Sequence, residues 1–210
     1  IGLIYLTTGT LNLTHLASLQ GELAGPVGLT AFFLLLLGFG VKAEIFPLNG
    51  WVPEVYSTAS RRVTGLLAGL VSKLALLVVM RLLVLVFPLP EAYQALLLLG
   101  LLGVLAGELA AWRAPDLART LAWSSIGQLG LIFVAFSVPG EAGVMAGIAL
   151  ALHHLVVKPG LFLLAERWAG ALSGLQGAGR RAPLAGALFV VFALSLIGVP
   201  PLPGFWAKFL

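Results

Sequence analysis

The sequence predicts an all-α, multi-pass membrane protein, and three observations predict it. Of its 210 residues 60% are hydrophobic and only 10% charged, with a mean hydropathy of +1.08. A soluble domain carries about a quarter charged residues and covers its surface with them. Second, apolar runs near the roughly 20 residues that cross a bilayer follow one another along the chain. Third, the connections between those runs alternate between arginine-bearing and arginine-free. Runs this long with so little period-two alternation leave helix as the structure that satisfies its own backbone in lipid.

The elements follow from the apolar runs and the Pro, Gly and charge clusters that bound them. Residues 1–8 read as the tail of an earlier helix, and a polar loop follows to Gly25. Helices are expected at about 26–48, 62–87, 92–112, 117–138, 142–168 and 183–199, forming one transmembrane domain. Pro88, Pro90, Asp116 and Pro139 punctuate the turns, and a break at Pro200, Pro201 and Pro203 precedes a last turn at 205–210. The chain opens without Met or a signal-peptide pattern and stops in what reads as the start of another helix. It is therefore expected to be a central piece of a longer spanning protein.

Arg61, Arg62, Arg113, Arg119, Arg167, Arg180 and Arg181 fall in or beside alternate loops, whereas the intervening loops carry Glu22, Glu91 and Glu141 and no Lys or Arg. Seven against none is the positive-inside pattern, which puts the arginine-rich loops in the cytoplasm and the chain in the cytoplasmic membrane. It also accounts for the net charge of +4 without a nucleic-acid partner, because these arginines form no solvated patch. The absence of cysteine excludes disulfides, thiolate metal sites and c-type haem attachment. No flavin, iron–sulfur or nucleotide motif occurs, so neither a cofactor, a metal nor a redox site of its own is expected.

Subtracting those seven leaves Lys42, Lys73, Arg81, Lys158 and Lys208, all within apolar helices. A lysine at the centre of a spanning helix costs about 2.5–3.5 kcal/mol on insertion scales. Lys42, some ~9 Å from its helix end, can snorkel to the headgroups. Lys73 and Lys158, ~16 Å and ~15 Å from the cytoplasmic helix ends, cannot. Two lysines at one depth point to a shared hydrated interior. A desolvated lysine can release its proton and a guanidinium cannot, so the lysines suit proton transfer and Arg81 suits a fixed charge.

His154 and Lys158, four apart, share a helix face that continues through Phe162 to Glu166. Imidazole titrates near neutrality and both donates and accepts protons, which suits a step beside a lysine. His153 points ~100° away. Pro159 frees the carbonyl of Leu155, which then needs a partner. Gly38, Gly40, Lys42 and Pro47 interrupt one helix, and Gly198, Pro200, Pro201, Pro203 and Gly204 interrupt another before Lys208. Paired broken helices point to an ion site in inverted-repeat transporters. Glu44, two residues from Lys42, faces another direction, and Glu108 is a candidate counter-ion. The candidate relay is thus Lys42, Lys73, His154, Lys158 and Lys208, with Glu44, Glu108, His153 and Glu166 auxiliary.

Five segments in order resemble one family, the antiporter-like subunits of Mrp-type cation/proton antiporters, NADH-quinone oxidoreductase (complex I) and membrane-bound hydrogenases. They are Lys42 to Glu54, Val63 to Arg81, Asp116 to Gly130, His154 to Phe162 and Gly198 to Lys208. Arg61-Arg62, Ala118, Trp123 and Leu150 depart from the family's commoner pattern. The resemblance implies an antiporter-like bundle of inverted repeats with two discontinuous helices, in which an earlier helix supplies a glutamate to the lysine matching Lys42. It implies a subunit that translocates H⁺, alone or in exchange for Na⁺ or K⁺, among other membrane subunits. A pumping subunit of complex I or hydrogenase, a non-pumping structural subunit and an organic-solute carrier are the alternatives.

Overall fold

The computed structural model describes residues 1–168 and 170–210. Helix α1 (Gly2–Thr8) ends at Gly9, whose φ of 69° lies in the left-handed region that glycine enters without strain. Asn12 then caps α2 (Leu13–Ser18) by accepting from the N–H groups of Thr14 and His15. A 3₁₀ turn (Gln20–Leu23) leads on to α3, so the stretch expected as loop carries two short helical pieces. Helix α3 (Pro26–Lys42) leads through the first break to α4 (Val52–Thr58). Helix α5 (Arg61–Leu66) passes through a π turn (Leu67–Val71) into α6 (Ser72–Leu85), one continuous span of 25 residues. Then come α7 (Pro90–Trp112), α8 (Leu117–Phe136) and α9 (Glu141–Ala165). The last elements are α10 (Ala178–Arg181), α11 (Pro183–Ile197) and α12 (Pro203–Phe209).

Prolines open α3, α7, α11 and α12 at the first helical position, where the missing N–H costs nothing and the fixed φ suits the helix. The Asp116 side chain caps α8 by accepting the Arg119 N–H at 2.9 Å. The spans α5–α6, α7, α8 and α9 are each long and apolar enough to cross a bilayer, while α3 and α11 are shorter apolar helices.

The two breaks share a design. Helix α3 stops at Lys42, six residues short of the expected end, and Glu44 takes φ 60°. Helix α11 stops at Ile197, and Gly198 takes φ 93°. Each break holds a cis X–Pro bond, Phe46–Pro47 and Pro200–Pro201, before the helix restarts as α4 or α12.

Packing explains several glycines. Gly100, Gly103 and Gly107 of α7 face Gly127 and Gly130 of α8 so closely that a methyl at Gly100 would meet the Gly130 carbonyl at 2.8 Å. Small residues of this kind let helix backbones touch in lipid, where dispersion rather than water exclusion holds helices together. Helix α9 packs against α8, α5 with its π turn, α11 and α12. Gly65 and Gly69 meet the ring of Pro159 there, and the Leu155 carbonyl freed by that proline faces Gly69.

Candidate functional site

Four charged or titratable side chains are enclosed where these helices meet: Glu44, Lys73, His154 and Lys158 are 1%, 4%, 1% and 0% exposed. Their placement follows from the local backbone. In the π turn the N–H of Ser72 reaches back to the Leu67 carbonyl, widening the helix one turn before Lys73. The adjoining Ala68 carbonyl accepts the Ser72 hydroxyl at 3.1 Å and the Lys73 ammonium at 2.5 Å, and Lys73 also donates to Ser72 Oγ at 3.0 Å. Lys158 is held in the same way from α8. It donates to the Leu121 carbonyl and to Ser124 Oγ, both at 2.9 Å, and the Ser125 hydroxyl shares that carbonyl. Each buried lysine thus rests on a backbone carbonyl and a hydroxyl, with no carboxylate bound to it among the described residues. Ion pairs within 4.0 Å occur there only at Arg119, with Asp116 at 2.9 Å and Glu54 at 3.2 Å.

Glu44 is turned inward by the first break. Its Oε1 accepts the Tyr56 hydroxyl at 2.6 Å, while Oε2 has no partner. Tyr56 stands edge-on to Phe162 of α9 with ring centroids 5.6 Å apart, so α4 props the carboxylate against the lysine-bearing helix. The charge of Glu44 acts on both Lys73 and Lys158. His154 lies in the field of the same two lysines, and neither ring nitrogen has a hydrogen-bond partner. Leaving a buried polar group unpaired costs about 1–3 kcal/mol. This interior therefore holds an acid, two amines and an imidazole, and Glu44 Oε2 and both His154 ring nitrogens keep unused hydrogen-bonding capacity.

The remaining candidates lie around these four side chains. Lys42 is exposed at the end of α3, two residues from Glu44. His153 takes a separate direction: Nε2 is 2.9 Å from Ser195 Oγ, which also accepts the Gly204 N–H at 3.3 Å, tying α12 to α9 and α11. Lys208 is exposed and caps α11 by donating to the carbonyls of Leu196 and Ile197 at 2.9 and 3.2 Å. Glu108 is exposed and rests against Gly127, and its charge reaches both Lys158 and Lys208. Glu166 is exposed beyond the end of α9, away from the enclosed groups. Sequence reasoning missed Tyr56, Ser72, Ser124 and Ser195. Ser72 beside Lys73 and the Ser124-Ser125 pair were visible signals, whereas nothing local marks Tyr56 or Ser195.

A methyl at Gly204 would collide with the Ser195 carbonyl and approach His153 Nε2 at 2.8 Å. Gly204→Ala is expected to destabilise the protein by about 1–3 kcal/mol, the usual cost of overpacking. Thermal unfolding of the purified protein in detergent checks this.

A bundle of apolar spans that encloses ionisable groups between two interrupted helices defines a multi-pass membrane protein with a polar interior. The chain belongs to the family described as NADH:quinone oxidoreductase/Mrp antiporter, TM, which it matches over residues 1–210. It is 34% identical over 218 residues to NADH-quinone oxidoreductase subunit N of Desulforudis audaxviator, covering 99% of this chain and 44% of that protein. It is 32% identical over 222 residues to a Na(+)/H(+) antiporter subunit of Bacillus subtilis, covering 100% and 44%. Among solved structures it superposes on a chain of the Mrp complex from Dietzia sp. with TM-score 0.90 and 31% identity, covering 99% of this chain and 40% of that one. The chain thus spans somewhat under half the length of these relatives.

Proposed function

We propose that this chain is the proton-conducting part of a subunit that translocates H⁺, alone or in exchange for another cation, within a multisubunit membrane assembly. One observation carries the proposal: Glu44, Lys73, His154 and Lys158 are buried together with no ion pair among them. Inert buried charges are paired in direct contact. Groups that exchange a proton must instead be free to change charge, and here each lysine keeps a hydroxyl neighbour through which a proton can pass.

In this reading Lys42 hands a proton to Glu44 at the first break, and Lys73, His154 and Lys158 carry it across the interior. Glu108 then holds the charge between Lys158 and Lys208, which passes it on at the second break. The relatives named as a Na(+)/H(+) antiporter subunit and as a NADH-quinone oxidoreductase subunit support this role, with other membrane subunits as partners. The arginine bias supports a cytoplasmic membrane location with the loops around Arg61, Arg113 and Arg180 on the cytoplasmic side.

His154→Phe tests the reading, because it separates transport from stability. Filling the site with an apolar ring removes two unpaired buried nitrogens, so the full-length subunit is expected to accumulate as wild type does while proton transport falls at least about tenfold. Unchanged transport in vesicles with normal subunit content would overturn the relay through His154.

A further inference from the structure

The end of α9 and the start of α11 frame two pockets that meet at a pair of arginines. One, of about 450 Å³, lies on the loop side and is lined by Arg167, Trp168, Leu175, Ala178 and Arg181 among others. The second, of about 390 Å³, lies on the helix side. It has the same two arginines at its rim and Leu164, Pro183, Leu184 and Leu188 along its walls. Leu184 and Leu188 are 75% and 43% exposed and follow one another down α11. Neither arginine has an acidic partner among the described residues, and Arg181 donates to the Gln176 carbonyl at 3.1 Å. Trp168 packs edge-on against Phe189 at 5.4 Å, in the position of an interfacial aromatic anchor.

We infer that this is a binding site for an anionic phospholipid, its phosphate between Arg167 and Arg181, its headgroup in the loop-side pocket and an acyl chain along Leu164, Leu184 and Leu188. The match is one of charge, shape and depth. Two guanidiniums with no carboxylate partner among the described residues suit phosphate, which arginine binds through two parallel hydrogen bonds. The site sits where the span α9 ends and the shorter apolar helix α11 begins, which is headgroup level for a spanning helix. The apolar groove continues from the arginines toward the bilayer core, as an acyl chain does. Basic pockets between membrane helices hold anionic headgroups by this chemistry. The inference rests on the membrane fold and stands apart from the translocation proposal.

The test uses the full-length subunit in its assembly, purified in detergent, with bound lipid counted by native mass spectrometry after adding phosphatidylglycerol or cardiolipin. Wild type and Arg113→Gln are expected to retain the anionic lipid and to reject phosphatidylcholine. Arg167→Gln/Arg181→Gln is expected to retain roughly tenfold less. Arg167→Lys/Arg181→Lys should fall between, since it keeps charge but loses the fork. A photo-crosslinker at position 188 should label phospholipid, and deacylated glycerophosphoglycerol should not compete. Equal retention in the double glutamine variant would overturn the inference. So would displacement by the deacylated headgroup, or crosslinks to another stretch of the polypeptide or to a neighbouring subunit.

Discussion

Lys73→Arg is expected to abolish proton transport, by roughly 10²-fold or more, while the subunit still inserts and assembles. Arginine keeps the positive charge and hydrogen-bond donors, so it can still reach the Ala68 carbonyl and Ser72 hydroxyl that hold Lys73. It also keeps the attraction of Glu44. What it does not keep is the ability to give up a proton, because guanidinium stays protonated inside proteins. A lysine that served only as a fixed charge would tolerate the change. The same reasoning applies to Lys158→Arg, whose ammonium is held by the Leu121 carbonyl and Ser124. Proton flux at matched subunit content separates the two roles.

Gly107→Leu is expected to prevent accumulation of the folded protein. Any side chain at Gly107 meets the backbone of α8, including the Trp123 carbonyl at 2.9 Å and Cα of Gly127 at 2.8 Å from its first carbon. The neighbour is backbone, so no rotamer change relieves the clash, and the helices must separate. The helix displaced is the one whose Leu121 carbonyl and Ser124 hydroxyl hold Lys158. A leucine on the exposed side of α7, such as Leu105 at 60% exposed, should accept alanine with little effect. Quantifying folded protein in detergent extracts, with the position 105 variant as control, checks the contrast.

The spans were legible because their signals are local. Apolar length, Pro at helix starts and an arginine bias are properties of neighbouring residues, and they are the same features that open α7 at Pro90 and α8 after Asp116. The burial of Lys73 and Lys158 was legible for the same reason, since a charge in an apolar run needs an explanation wherever it falls, whereas Lys42 and Lys208 are exposed. Glu44 was harder to read. On an unbroken helix it points away from its neighbours, and only the left-handed turn at Glu44 itself directs it inward toward Tyr56. The hydroxyl that receives Lys73 adjoins it in sequence, but the one that receives Lys158 comes from Ser124, 34 residues away, and no local pattern encodes such a distance. The π turn at Leu67–Val71 was equally unreadable, since it lies where Gly65 and Gly69 meet Pro159 of another helix, a contact remote in sequence.

The central claim is that protons cross the membrane through Glu44, Lys73, His154 and Lys158. The most direct measurement is proton uptake, driven by an imposed membrane potential, into liposomes carrying the full-length assembly, comparing wild type with Glu44→Gln. Glutamine keeps the side-chain shape and still accepts the Tyr56 hydroxyl, but it cannot take up a proton. Wild-type vesicles are expected to build a pH gradient and Glu44→Gln vesicles, at equal subunit content, to build none. A gradient of wild-type size in the variant would contradict the claim.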